Sequence, residues 1–379
     1  MATQIHRLMR CSVCIALVAF LTNVSIKEIT MAEPQSASVK YTMPSEESPH
    51  EGTWLQWPHH YQYGVTYRNR LEPTWVAITK VLADSETVHV IVYDEREKAR
   101  VAEILKKSEI QDERIDLHVY PTDDVWVRDN GPIYVRDASG KLLILGWGFN
   151  GWGKKAEFSQ CSQIPRLIAQ DQGYPFVDLS YEMVNEGGSI ELDGNGTLLA
   201  CKSSIFNANR NPGLTVPEAE RLFTRYLGAT HFIWLEGTAG LDITDMHIDG
   251  LARFPNVSTL LTMSRKDLEE WGLSATDIAV LYAAKNKDGL AYTIVTLPLT
   301  RENVSTAYGK KLDYKGSYIN YYVSNTHVLV PNYNDPHDEV ANRLIQNLYK
   351  GRTVIGIDVR NLYENGGMIH CVTQQQPKP

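Results

Sequence analysis

The chain has 379 residues, 43% hydrophobic and 22% charged, with a formal net charge of −8. This is the composition of a soluble globular protein with a large core. The acidic balance argues against nucleic acid, whose phosphates need a basic face, and is compatible with a cationic partner.

At the start, His6, Arg7 and Arg10 precede an apolar run from Cys11 to Leu21. The run suits a signal-peptide core and is too short to span a bilayer. Thr30-Met31-Ala32 is a mediocre cleavage site, and Lys27 and Glu28 are atypical of a leader. Residues 1–32 are therefore expected to be a signal-peptide-like leader, with an exported or periplasmic protein favoured. The alternative is translation from Met31 and a cytoplasmic protein. No later segment reaches about 18 uninterrupted apolar residues, so no membrane span is expected. Residues 33–40 read as a polar linker and 41–377 as a single domain.

Strand-like runs rich in Val, Ile, Tyr and Thr follow at Val88–Tyr93, Ile115–Tyr120, Ile133–Arg136, Leu142–Gly146, Ser189–Leu192, Thr197–Cys201, His231–Leu235, Gly250–Phe254, Thr259–Met263, Tyr292–Leu297, Tyr318–Val323, Thr326–Val330 and Thr353–Val359. Asp193–Gly196 reads as a hairpin turn. Helical periodicity falls between them, at Asn69–Leu82, Glu95–Lys107, Ser162–Gln172, Pro217–Leu227 and Pro336–Lys350. The order predicts an α/β fold of many short strands with mixed pairing, unlike a doubly wound sheet.

Five cysteines are present, of which Cys161, Cys201 and Cys371 follow the leader, so at least one of these three is an unpaired thiol. No CxxC pair outside the leader suggests a metal or redox site, and a Cys161–Cys201 disulfide stays open.

Four segments carry groups suited to chemistry. Trp126–Pro132 (WVRDNGP) sets Arg128 beside Asp129, pointing to opposite faces if a strand runs through them; a surface ion pair is the plain reading. Asn185–Ser189 (NEGGS) places Glu186 at a strand mouth before two glycines, which permit close approach of backbone and ligand or merely make a turn. Asp242–Asp249 (DITDMHID) puts His247 and Asp249 two apart, on one face of a strand. A histidine among carboxylates suits general acid/base work, a metal site or a simple hydrogen bond; no HxxxH or cysteine cluster supports the metal. Glu364–Thr373 (ENGGMIHCVT) carries Cys371, a buried small hydrophobe unless a polarising neighbour activates it. His370 would face the other way in a strand and is not taken as its base. Paired carboxylates suit a planar guanidinium, a thiolate can attack its carbon, and a histidine can protonate the departing nitrogen. Pattern alone does not separate this from other cysteine hydrolases.

At these segments the chain resembles the agmatine deiminase family, which includes bacterial peptidylarginine deiminases. The likeness runs from MPSEESPH (Met43–His50) and TWLQWP (Thr53–Pro58) through WVRDNGP, NEGGS, DGNGT and NRNP to GGMIHCVTQQQP (Gly366–Pro377). The resemblance implies a pentein fold, a five-fold pseudosymmetric α/β propeller whose units each deliver residues to a central site. It implies Cys371 as nucleophile, His247 as general acid/base, Asp129 and Asp249 as guanidinium holders, Glu186 as positioner of substrate and His247, and Trp126 as pocket lining. The implied reaction converts agmatine to N-carbamoylputrescine and ammonia through a covalent thiouronium, a step toward putrescine, with no organic cofactor and no metal. Peptidylarginine or another guanidine is the alternative substrate, and an inactive guanidine-binding scaffold the alternative of another class. One departure is Met246, where many relatives have glycine before the histidine.

Overall fold

A computed structural model describes residues 38–379 apart from Gln111. The leader and residues 33–37 of the expected linker lie outside the described residues. The strands are β1 (His50–Gln56), β2 (Thr87–Val92), β3 (Ile115–Val119), β4 (Ile133–Arg136), β5 (Leu142–Gly148), β6 (Phe176–Val184), β7 (Ile190–Leu192) and β8 (Thr197–Cys201). They continue with β9 (His231–Leu235), β10 (Arg253–Asn256), β11 (Thr259–Met263), β12 (Thr293–Leu297), β13 (Tyr322–Val323), β14 (His327–Asn332), β15 (Thr353–Asp358) and β16 (Gln374–Pro377).

These strands form five small sheets, ordered β16-β1-β2-β3, β4-β5-β6, β7-β8-β9, β10-β11-β12 and β13-β14-β15. Each repeats one pattern: the first strand is antiparallel to the second, and the second is parallel to the third. The expected five-fold α/β propeller is therefore present. The β16–β1 ladder joins the end of the chain to its first strand, which closes the ring of units. The first sheet differs from the others in its added parallel strand, β3.

Sequence explains the layering. The middle strands β5, β8 and β11 are buried along their whole length and read as near-continuous apolar runs, as strands covered on both faces must. The outer parallel strands β12 and β15 keep exposed threonines and an exposed aspartate. Helices connect each second strand to its parallel third, as parallel pairing requires. Val216–Leu227 shows the local logic: Thr215 and Glu218 form a capping box, Pro217 sits in the first turn, and left-handed Gly228 ends the helix.

The structure amends several expectations. The first helix begins at His60 rather than Asn69, with a kink at Gly64. Only Tyr322 and Val323 of the 318–323 run pair as a strand, and the 250–254 run starts at Arg253 because residues 248–250 make a single 3-10 turn. No helix among the described residues is long and apolar enough to cross a membrane. Cys161 and Cys201 are separate buried thiols, so the disulfide does not form.

Candidate active site

One feature of the repeat assembles the site. Just before the first strand of four of the five units the chain makes a single helical turn: Val127–Asn130 precedes β4, Gly187–Ser189 precedes β7, Ile248–Gly250 precedes β10 and His370–Val372 precedes β16. In the fifth unit residues 317–320, bent at Tyr318, lead into β13. Asp129, Glu186, His247 with Asp249, Asn320 and Cys371 lie in or directly beside these five segments. Residues spread over most of the sequence thus come together because each lies just before the first strand of a unit.

These turns correct three local expectations. Arg128 and Asp129 lie in a short helix, not a strand. His247 is extended and Asp249 lies in the following 3-10 turn. His370 is also in a 3-10 turn, so it does not point away from the site. A single turn aims neighbouring side chains differently from the alternation of a strand.

Gly188 marks where the groups meet. A Cβ there would stand 2.7 Å from His247 Nδ1, 2.9 Å from Asp129 Oδ1 and 3.0 Å from Asp249 Oδ2. Only a residue without a side chain lets the imidazole and both carboxylates close around one spot. Asp129 is held by Gly188 N, donating to Oδ1 at 3.1 Å, and by Trp152 Nε1, donating to Oδ2 at 2.9 Å. Glu186 divides its oxygens: Oε2 lies 2.8 Å from His247 Nε2, and Oε1 accepts from Arg210 Nε at 2.6 Å. Arg210 also donates to Asp245 Oδ2 at 2.6 Å and to the Thr244 carbonyl at 2.9 Å. NRNP lies in a turn, and from it Arg210 clamps Glu186 to the loop that carries His247.

His370 is a second residue whose part the sequence did not disclose. Its Nδ1 lies 2.8 Å from Asp249 Oδ2, and its Nε2 lies 2.9 Å from Glu46 Oε2. Arg253 and Arg128 flank that same Glu46 oxygen at 3.1 and 3.4 Å. Glu46 belongs to the opening MPSEESPH segment, which thereby supports Asp249 through His370. Cys371 is partly exposed, and its thiol approaches Asn320 Oδ1 at 3.5 Å. Trp126 is buried against Gly367, where a Cβ would come within 2.1 Å of its ring.

The electrostatics follow from burial and neighbours. Burial favours a neutral His247, but Asp129, Glu186 and Asp249 outweigh it and raise the imidazole to about 9. Burial raises Asp129. For Asp249, burial is overcome by His370, His247 and Arg253, and the carboxyl is held below its ordinary range. Burial and the charges of Asp249 and Asp129 push the Cys371 thiol well up.

The backbone before His247 is left-handed at Asp245 (φ 61°) and Met246 (φ 73°). Such residues cost about 1–2 kcal/mol each relative to the right-handed region. Asp242 Oδ1 accepts from Met246 N at 3.2 Å, and Lys155 donates to Asp245 Oδ2 at 2.6 Å, pinning the loop. Met246 thus adopts the conformation natural to glycine while its side chain packs in the main core.

The model of the Porphyromonas-type peptidyl-arginine deiminase family matches residues 42–377. The chain belongs to this family. A Streptomyces coelicolor protein provisionally named an agmatine deiminase is 33% identical, over 89% of this chain and 99% of that protein. An agmatine deiminase of Stutzerimonas stutzeri is 31% identical, over 89% of this chain and 96% of that protein. A Porphyromonas gingivalis structure is 31% identical, with a TM-score of 0.77, covering 89% of this chain and 98% of that one. The fold is that of the pentein superfamily, and the protein is a guanidine-modifying hydrolase of the agmatine-deiminase-like family.

Proposed function

We propose that the chain is an agmatine deiminase, hydrolysing the guanidinium of agmatine to N-carbamoylputrescine and ammonia with Cys371 as nucleophile. The observation that carries this reading is the convergence of Asp129, Glu186, His247 and Asp249, with the charges of Asp249 and Asp129 acting on the thiol of a partly exposed Cys371.

In this reading Asp129 and Asp249 hold the guanidinium, and Trp126 lines its approach. Burial and the field of Asp249 and Asp129 together raise the thiol; the bound cation offsets that field and attracts the thiolate, so the Cys371 proton leaves to solvent as substrate binds. The thiolate adds to the guanidinium carbon. The C–N bond then breaks, and His247, an imidazolium at neutral pH, gives its proton to the departing ammonia. A thiouronium on Cys371 remains. Neutral His247 takes one proton from water as the oxygen bonds to carbon; the C–S bond then breaks as the thiolate returns, and the remaining hydroxyl proton leaves to solvent to give the ureido carbonyl. Glu186 keeps His247 oriented throughout. No step calls on an organic cofactor or a metal.

Relatives carrying the agmatine deiminase name support the substrate. A peptidylarginine substrate is the second reading, favoured by the description of the matching family. Retention of Cys371, His247, Asp129, Asp249 and Glu186 argues against an inactive scaffold. The test is ammonia release from agmatine, arginine and an arginine peptide measured side by side. Agmatine should be turned over fastest; a faster peptide would replace the substrate and leave the chemistry standing.

A further inference from the structure

The added strand β3 brings together three metal-ligand side chains. His89 on β2 is paired with Asp116 on β3, and His118 lies two residues further along. His89 Nδ1 and His118 Nε2 are 3.3 Å apart, and Asp116 Oδ2 lies 3.4 Å from the first and 3.0 Å from the second. Donors about 2.0–2.2 Å from a tetrahedral zinc stand about 3.3–3.5 Å from each other, so this triangle is close to one face of such a site.

The other ring nitrogens sharpen the point. His89 Nε2 lies 3.1 Å from Glu51 Oε2, and His118 Nδ1 lies 3.1 Å from Asp171 Oδ2, which also accepts from the Tyr120 hydroxyl at 2.7 Å. A carboxylate only accepts, so these two nitrogens carry the protons. The remaining nitrogens, His89 Nδ1 and His118 Nε2, face each other and Asp116 Oδ2, a convergence that a single cation bound by all three would satisfy. Carboxylates behind ligating histidines are also the usual means of fixing their tautomer. Trp54 packs against both imidazoles, with centroids at 4.4 and 4.8 Å, and holds them in place. Both histidines are buried, while the Asp116 side chain is 51% exposed, which leaves one side open to solvent.

We propose that His89, His118 and Asp116 bind one zinc-type divalent transition-metal ion, with a fourth position open to water. Two imidazoles and a carboxylate suit zinc better than calcium or magnesium, which take oxygen ligands. Asp171 comes from helix Ile164–Gln172, in the connection from β5 to β6, so the ion would tie the first unit to the second. The role is structural, and it departs from the metal-free expectation without touching the deimination site.

The test uses the full chain stripped with chelator and titrated with zinc chloride by calorimetry. One ion should bind, and Asp116→Asn, at an exposed position, should weaken binding at least about tenfold, as expected for a lost ligand. Glu51→Gln, which touches no ion, should weaken it about 10- to 100-fold. At one zinc concentration the Tm of the parent chain should rise more than that of Asp116→Asn. Cys371→Ser should retain the single site, which separates it from the reactive thiol. Absence of zinc uptake, as when the three acceptors merely share a proton, overturns the proposal. So does binding indifferent to Asp116→Asn, or binding lost with Cys371→Ser.

Discussion

Glu186 fixes His247: one carboxylate oxygen lies 2.8 Å from Nε2 of the imidazole. The other oxygen is gripped by the buried Arg210, so the carboxylate cannot turn away without breaking an ion pair at 2.6 Å. This contact orients the histidine and, together with Asp129 and Asp249, favours its charged form.

A pH prediction follows. The reactive free enzyme carries a neutral Cys371 thiol and an imidazolium at His247, raised to about 9 by Asp129, Glu186 and Asp249 against the opposing effect of burial. The imidazolium predominates below that value and is lost above it. The kcat/KM for agmatine should therefore fall as pH rises through about 9. Glu186→Gln removes a charge that favours the imidazolium, so this limb should move to lower pH. A profile unchanged in the variant would remove Glu186 from control of His247.

Asp129→Asn and Asp249→Asn should each depress kcat/KM strongly with circular dichroism little changed. Each keeps the side-chain shape and deletes one charge facing the substrate cation. Losing one partner of a desolvated charge pair costs about 2–5 kcal/mol, or roughly thirty- to several-thousand-fold. Full kcat/KM in either variant would show that its carboxylate does not hold the guanidinium.

Agmatine should be preferred over free arginine by at least about tenfold in kcat/KM, equivalent to about 1.4 kcal/mol. An arginine carboxylate needs a cationic partner, and the motif arginines are engaged. Arg128 is taken by Gln375, the His370 carbonyl and Glu46. Arg210 is taken by Glu186, Asp245 and the Thr244 carbonyl. Lys155 is bound to Asp245 and the Ile243 carbonyl. Competition of the two substrates in one vessel measures the ratio, and equal or faster loss of arginine contradicts it.

Chelator should leave ammonia release unchanged at temperatures well below unfolding. Among the described residues the one cluster of three ligand groups close enough to hold an ion is His89, Asp116 and His118, which shares no residue with the site. Loss of activity in EDTA, restored by one divalent metal, would put a metal into the reaction.

What the sequence disclosed depended on whether a segment was held by apolar burial or by polar contacts. Ile133–Arg136, Thr197–Cys201, His231–Leu235, Thr259–Met263 and the helix Glu95–Lys107 were legible to the residue, because apolar periodicity shapes them. β16 was not legible, since its Gln374-Gln375-Gln376 run is buried yet carries no apolar signal. Gln375 accepts from Arg128, and Gln376 accepts from Trp54 and Tyr134. β1 hid for a similar reason: buried His50 and Thr53 are satisfied by Glu86, a partner more than thirty residues away. The site residues were recognised through family motifs, and their convergence rests on the segments that lead into the first strand of each unit. The part of His370 was missed because its partners, Asp249 and Glu46, lie 121 and 324 residues away, and nothing local in the sequence announces them.

The central claim, covalent catalysis by Cys371, is tested most directly by acid-quenching the enzyme during turnover of agmatine and weighing it by intact mass spectrometry. The account predicts an added amidine-bearing alkyl group that maps to the peptide containing Cys371. It also predicts that Cys371→Ser, still folded, shows neither adduct nor ammonia release, because a serine hydroxyl is far less ionised than a thiol. Near-parental ammonia release by that variant, or steady turnover with no adduct on Cys371 at any quench time, would contradict it.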